Sequence, residues 1–151
     1  MRRILWALVM LAVATPLFAS DALVGTWKLN PAKTKYTAGA PTKDLTVVVE
    51  EQGANLQVTA TGTNPDGSAL SIKYTIPVKG GAGVVLQAWY NGVTSKVISA
   101  KVRENRFTKD GKVVRTRRSV VSDDGKTMTV TMKGLDSTGK ESDGVDFFDK
   151  Q

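Results

Sequence analysis

Residues 55–78 read Asn55-Leu56-Gln57-Val58-Thr59-Ala60-Thr61-Gly62-Thr63-Asn64-Pro65-Asp66-Gly67-Ser68-Ala69-Leu70-Ser71-Ile72-Lys73-Tyr74-Thr75-Ile76-Pro77-Val78. In the first part Leu56, Val58 and Ala60 alternate with Gln57, Thr59 and Thr61. In the second, Leu70, Ile72, Tyr74, Ile76 and Val78 alternate with Ser71, Lys73, Thr75 and Pro77. Successive side chains of a strand point to opposite faces, so a period of two gives each segment one dry and one wet face. Asn64-Pro65-Asp66-Gly67 between them carries the residues that set turn dihedrals and accept positive φ. The stretch therefore predicts a β-hairpin with its apolar face toward a core.

The same grammar extends in both directions. Turn signals recur at Gln52-Gly53-Ala54-Asn55, Gly80-Gly81-Ala82-Gly83, Asn91-Gly92, Asp110-Gly111, Asp124-Gly125 and Ser137-Thr138-Gly139. Leu23, Gly25, Trp27 and Leu29 share a face, and Met128, Val130 and Met132 alternate with Thr127, Thr129 and Thr131. The spacing predicts about ten strands, over 22–29, 44–51, 55–63, 69–78, 84–90, 94–103, 105–109, 112–121, 126–133 and 144–150. No stretch carries a helical stripe. Asn30 to Lys43, with Pro31, Gly39 and Pro41, is expected as a loop, a lid or one short helical turn. The fold class expected is all-β: an antiparallel up-and-down meander closed into a barrel of about eight to ten strands, since closure removes exposed edges. A two-sheet sandwich is the alternative. The wet faces of Thr, Lys, Ser and Gln argue against a lipid-facing outer-membrane barrel.

The chain of 151 residues contains no cysteine and no histidine. That excludes disulfides, thiol nucleophiles, zinc–cysteine sites and Ser-His-Asp chemistry. Met1-Arg2-Arg3 followed by the apolar run Ile4–Ala14 and Thr15-Pro16-Leu17-Phe18-Ala19 has the plan of a secretory signal peptide. Cleavage is expected after Ala19, with Ala22 as the alternative. The expected division is a signal peptide over 1–19 and one barrel domain over 20–151, secreted or periplasmic by the general secretory route. After cleavage no transmembrane segment is expected. Arg2 and Arg3 supply two of the seven excess positive charges, so the remainder carries +5.

The opening strand Leu23-Val24-Gly25-Thr26-Trp27-Lys28-Leu29 resembles that of the calycin superfamily, the lipocalins and fatty-acid-binding-type barrels. The longer run Gly25 to Lys35, and Ser119 to Thr131 near the other end, resemble secreted bacterial lipocalin-like proteins. The resemblance spans about residues 22–150. It implies a barrel-end plug made by Gly25, Trp27 and an arginine from a late strand lying across the indole. Arg118 or Arg117 matches by position, and Arg118 is preferred. Two features depart from the pattern. The last strand, Gly144 to Lys150, lacks the Arg-x-Tyr with which fatty-acid-binding barrels grip a carboxylate, and no paired helices follow the first strand.

Lys101, Arg103, Arg106, Lys109, Lys112, Arg115, Arg117 and Arg118 stand against only Glu104 and Asp110, a net +6 in eighteen residues. The expectation is a basic face, Lys101, Arg103, Arg106, Arg115 and Arg117 among it, for an anionic lipid headgroup or an acidic partner; a merely solvated face is the alternative. Nucleic acid is not expected, because only Phe107 interleaves with these charges. The pairs Glu50-Glu51 and Asp123-Asp124 are sequence neighbours that point apart or lie in a turn, so no acid–base pair is expected. Catalytic residues, metal ligands and cofactors are therefore expected to be none, and the protein not an enzyme. Trp27, Tyr74, Phe107, Met128, Met132 and Phe147 are the candidate interior residues, either as packed core or as the wall of a pocket. Trp89 and Tyr90, beside Asn91-Gly92, belong near a rim. The function these readings favour is a monomeric barrel that binds a small apolar or amphipathic molecule. The alternative is a filled barrel acting through its basic face at the cell envelope.

Overall fold

The computed structural model describes residues 20–151. The expected signal peptide lies outside the described residues. The hairpin that opened the sequence forms as β4 (Asn55–Thr63) and β5 (Ala69–Pro77). Its register sets Leu56 opposite Ile76, Val58 opposite Tyr74 and Ala60 opposite Ile72. All six side chains are buried, so the dry faces of both strands coincide. A slip of one residue would turn every one of them to water.

The other strands are β1 (Gly25–Leu29), β2 (Lys35–Ala38), β3 (Asp44–Gln52), β6 (Gly81–Ala82), β7 (Val84–Gln87) and β8 (Gly92–Ser99). They continue with β9 (Val102–Lys109), β10 (Lys112–Val121), β11 (Thr127–Gly134) and β12 (Asp143–Lys150). All pair antiparallel in one sheet, in the order β6-β8-β9-β10-β11-β12-β1-β3-β4-β5-β7, with β2 added beside β12. First and last strands meet through Trp27–Lys150 and Leu29–Phe148. The result is a nearly closed antiparallel barrel, and no described residue is helical.

Eleven strands lie on the barrel path, more than the eight to ten expected. The single strand expected over 84–90 is instead a segment that changes partner. β6 pairs with β8, and β7 with β5, so residues 81–87 bridge the two edges that would otherwise stay open. The change of partner falls at Gly83. A Cβ there would collide with the Thr75 carbonyl and crowd Val93 and Ile76, so only glycine lets the backbone cross. The segment expected as a loop, 30–43, contributes β2. The turn expected near residue 104 lies at Ala100-Lys101, between β8 and β9.

The barrel is filled unevenly. Trp27, Leu56, Ile76 and Phe107 are the largest fully buried side chains. With Tyr74, Met128 and Phe148 they pack the half of the interior that the N-terminal residues close. The Trp27 indole Nε1 donates to the Leu23 carbonyl at 2.8 Å. Lys150, not Arg118, holds its ammonium 5.2 Å from the indole centre. Arg118 corrects the expectation. It lies on the outside, half-exposed, and pairs with Glu104 across the outer face.

Candidate ligand cavity

The half of the barrel remote from Trp27 is hollow. A cavity of about 790 Å³ opens between the turns at Asn64–Asp66 and Asp136–Thr138. Its apolar wall comes from the alternating faces already described: Leu45, Ala60, Leu70, Ile72 and Met132, with Trp89. Small Ala60 is what leaves width there. Its polar wall includes Tyr36, Arg115, Arg117 and Asp146 inside, with Asn64, Asp66, Asp136 and Thr138 toward the mouth.

The inner four arrive by local irregularities. On β10 the register shifts between Val113 and Arg115, a bulge at Val114. Beyond it Arg115, Arg117, Ser119 and Val121 share one face, and buried Val121 fixes that face as inward. On β12 Phe148 is buried, which places Asp146 and Gly144 on the inner face with it. β2 crosses here: Tyr36 pairs with Gly144, and a Cβ on Gly144 would strike the tyrosine ring. The bare glycine lets that ring lie flat against β12, where its hydroxyl donates to Asp146 Oδ1 at 3.0 Å.

The guanidinium groups are held loosely. Arg115 Nε donates to the Leu135 carbonyl at 2.9 Å, and its Cζ lies 5.6 Å from the Trp89 ring centre. Arg117 lies 5.5 Å from the centre of Phe107, and its Nε is sealed from solvent with no hydrogen-bond partner among the described residues. Tyr90, stacked at a tilt on Phe107 with centroids 4.6 Å apart, leaves its hydroxyl likewise unpartnered. Burial, and then the charge of Arg117, pull Arg115 down to about 10, so it stays cationic at neutral pH. Burial pushes the Asp146 carboxyl up, against the opposing pull of Arg117, the Tyr36 hydroxyl and Arg115. Burial also pushes the Tyr36 phenol up, with Asp146 adding to it.

The expected interior residues divide. Met132 lines the cavity. Trp27, Tyr74, Phe107 and Met128 are buried in the filled half as core. Phe147 corrects the expectation: it faces outward, where Lys33 Nζ sits 4.6 Å from its ring centre. Its neighbour Phe148 takes the interior place. The expected basic face also divides. Arg115 and Arg117 line the cavity, and Arg103 is buried near the opposite end. Lys101, paired with Asp123, and Arg106 stay outside. Arg106 and Arg118 join Lys96, Lys133 and Glu104 around a second concavity of about 500 Å³, which Arg117 also lines. Tyr36 and Asp146 were not foreseen. The signal for Asp146 was the Phe147-Phe148 doublet: whichever phenylalanine points inward decides whether Asp146 does.

The chain matches no protein-family model, and comparison with curated proteins finds no match.

Proposed function

We propose that this is a secreted or periplasmic lipocalin-like protein that holds a small amphipathic molecule in the barrel and acts by binding rather than catalysis. The observation that carries the reading is the half-hollow interior, about 790 Å³ and open at one end. That lies within the roughly 300–1,000 Å³ of small-molecule sites, which combine apolar walls with a few placed polar groups. The ligand's apolar part would rest on Leu45, Ala60, Leu70, Ile72 and Met132 and gain about 25 cal/mol per Å² buried.

The test is displacement of a neutral fluorescent probe, N-phenyl-1-naphthylamine, in the wild-type protein and in Ala60→Phe. The wild type should bind the probe. Filling the cavity from Ala60, with an unchanged β-sheet circular dichroism spectrum, should weaken binding about tenfold. Equal binding by both would place the probe elsewhere and reject the reading.

Within that reading, one contact favours cleavage after Ala19 over Ala22. Asp21 pairs with buried Arg103 at 2.9 Å. Cleavage after Ala22 would remove Asp21 and leave that guanidinium without its counter-ion. The intact mass of the exported protein distinguishes the two sites.

A second reading rests on the concavity with Lys96, Arg106, Arg118 and Lys133, which suits an acidic partner or an anionic headgroup. Loss of vesicle binding in a Lys96→Glu/Lys133→Glu variant, with probe binding kept, would favour it.

A further inference from the structure

The polar wall of the cavity has an unbalanced charge. Its enclosed ionic groups are Arg115 and Asp146, both buried, and Arg117, half-buried with its Nε sealed from solvent, two cations against one anion. Burying an uncompensated charge is costly, and buried charges are as a rule paired. Yet the ion pairs among the described residues are Lys101–Asp123, Arg103–Asp21 and Arg118–Glu104. Neither cavity arginine is in that set, and Asp146 has turned its Oδ1 to Tyr36. Among the described residues, Arg115 spends only its Nε on a protein acceptor, and neither terminal nitrogen has one. Arg117 donates to no acceptor among the described residues. A guanidinium fork presents parallel N–H groups that match an oxyanion.

The charges at the mouth do not cancel the excess. Asp136 faces Arg115 but accepts from the Thr138 and Lys140 amides and the Thr138 hydroxyl. Asp66 is committed to Ser68 in the same manner, and Glu141 and Lys140 are exposed. Water screens these groups far more than the enclosed three.

We propose that Arg115 and Arg117, with Asp146 as a fixed counter-charge, form a recognition site for one singly charged oxyanion carried by the amphipathic ligand: a carboxylate, or a sulfonate or sulfate ester. This rests on the reading of the cavity as a ligand site and adds the chemistry of the ligand's head. One negative charge brings the enclosed set to neutrality. A dianion, such as a phosphate monoester above its second ionisation, overshoots it. The head lies against β10, with the tail across the cavity on Leu45, Ala60, Leu70 and Ile72.

The experiment is calorimetric titration at pH 8 with dodecanol, dodecanoate, dodecanesulfonate and dodecyl phosphate. Dodecanoate and dodecanesulfonate should each bind about tenfold or more tighter than dodecanol, as expected for hydrogen bonds to charged groups. The ratio of the two identifies which head the site prefers. Dodecyl phosphate should bind more weakly than both. Asp146→Asn removes the counter-charge, so it should narrow or reverse that last preference. Arg117→Met should reduce dodecanoate to the dodecanol level. Equal affinity of dodecanol and dodecanoate overturns this inference while leaving the cavity reading intact. Failure of all four to bind overturns both. The wild-type comparison decides the matter even if a variant does not fold. A phosphate preference in the wild type would overturn the single-charge argument.

Discussion

The two ends of the barrel each bury arginine, in opposite ways. Near the filled end, Arg103 is 4% exposed and both its terminal nitrogens are engaged. It donates to Ser95 Oγ at 3.0 Å, to the Pro77 and Val78 carbonyls at 3.1 and 2.8 Å, and to Asp21 at 2.9 Å. At the hollow end, among the described residues, Arg115 makes one protein hydrogen bond and Arg117 none. The difference separates a structural cation from a recognition cation. The first ties four segments of chain together, and both its terminal nitrogens are consumed by the fold. The second packs on Trp89 and Phe107 and lines the cavity, and its terminal nitrogens have no protein acceptor among the described residues.

The sharpest ways to break this comparison begin at the filled end. Trp27→Ala removes the largest fully buried side chain and should cost about 3–5 kcal/mol in urea unfolding. A cost below about 1 kcal/mol would mean that the filled half is not the stability core. Arg103→Met strands Asp21 and two backbone carbonyls, and should cost about 3–5 kcal/mol. Arg117→Met removes a charge without protein acceptors. Its unfolding free energy should stay within about 1 kcal/mol of wild type or rise. If Arg103→Met and Arg117→Met cost the same, the contrast between the two ends fails.

A smaller effect concerns pH. The folded-state pKa of Asp146 is raised, chiefly by burial. Its ionisation therefore opposes folding above that pKa, and the penalty is relieved as pH falls toward the unfolded value near 4. The difference in Tm between wild type and Asp146→Asn should shrink between pH 7 and about 4.5. Asp136 behaves oppositely: burial raises its pKa, but the Thr138 hydroxyl and the Lys140 and Thr138 amides outweigh it, and the net shift is down. Its contribution is present above the unfolded value and is lost only below about pH 4. The Asp136→Asn difference should therefore persist across the range in which the Asp146→Asn difference fades.

What was legible in the sequence follows the same division. Where apolar and polar residues alternate without interruption, as in β4, β5 and β11, strand, face and register are readable because only one parity buries the apolar set. Tyr74, Met128 and Met132 fall inward on that basis, and Trp27 by the same alternation in β1. Parity was lost at apolar doublets. Phe147-Phe148 and Val120-Val121 each permit either face, and the choice is made by cross-strand partners: Leu29 and Met128 stand opposite Phe148, and Met128 stands opposite Val121. The bulge at Val114 adds a second break. These are the places where Asp146, Arg115 and Arg117 turn inward, so the polar half of the cavity was the part hidden from a period-of-two reading. A run of eight cations looked like one surface because charge density carries no information about which face each residue occupies.

The most direct test of the central claim, that the hollow half is built to be filled, is native mass spectrometry of the protein recovered from the cells that make it. The same sample is measured after solvent extraction and again after adding dodecanoate. The account predicts one extra mass per chain, lost on extraction and replaced one for one by dodecanoate. The mass of the bare chain at all three stages would contradict it.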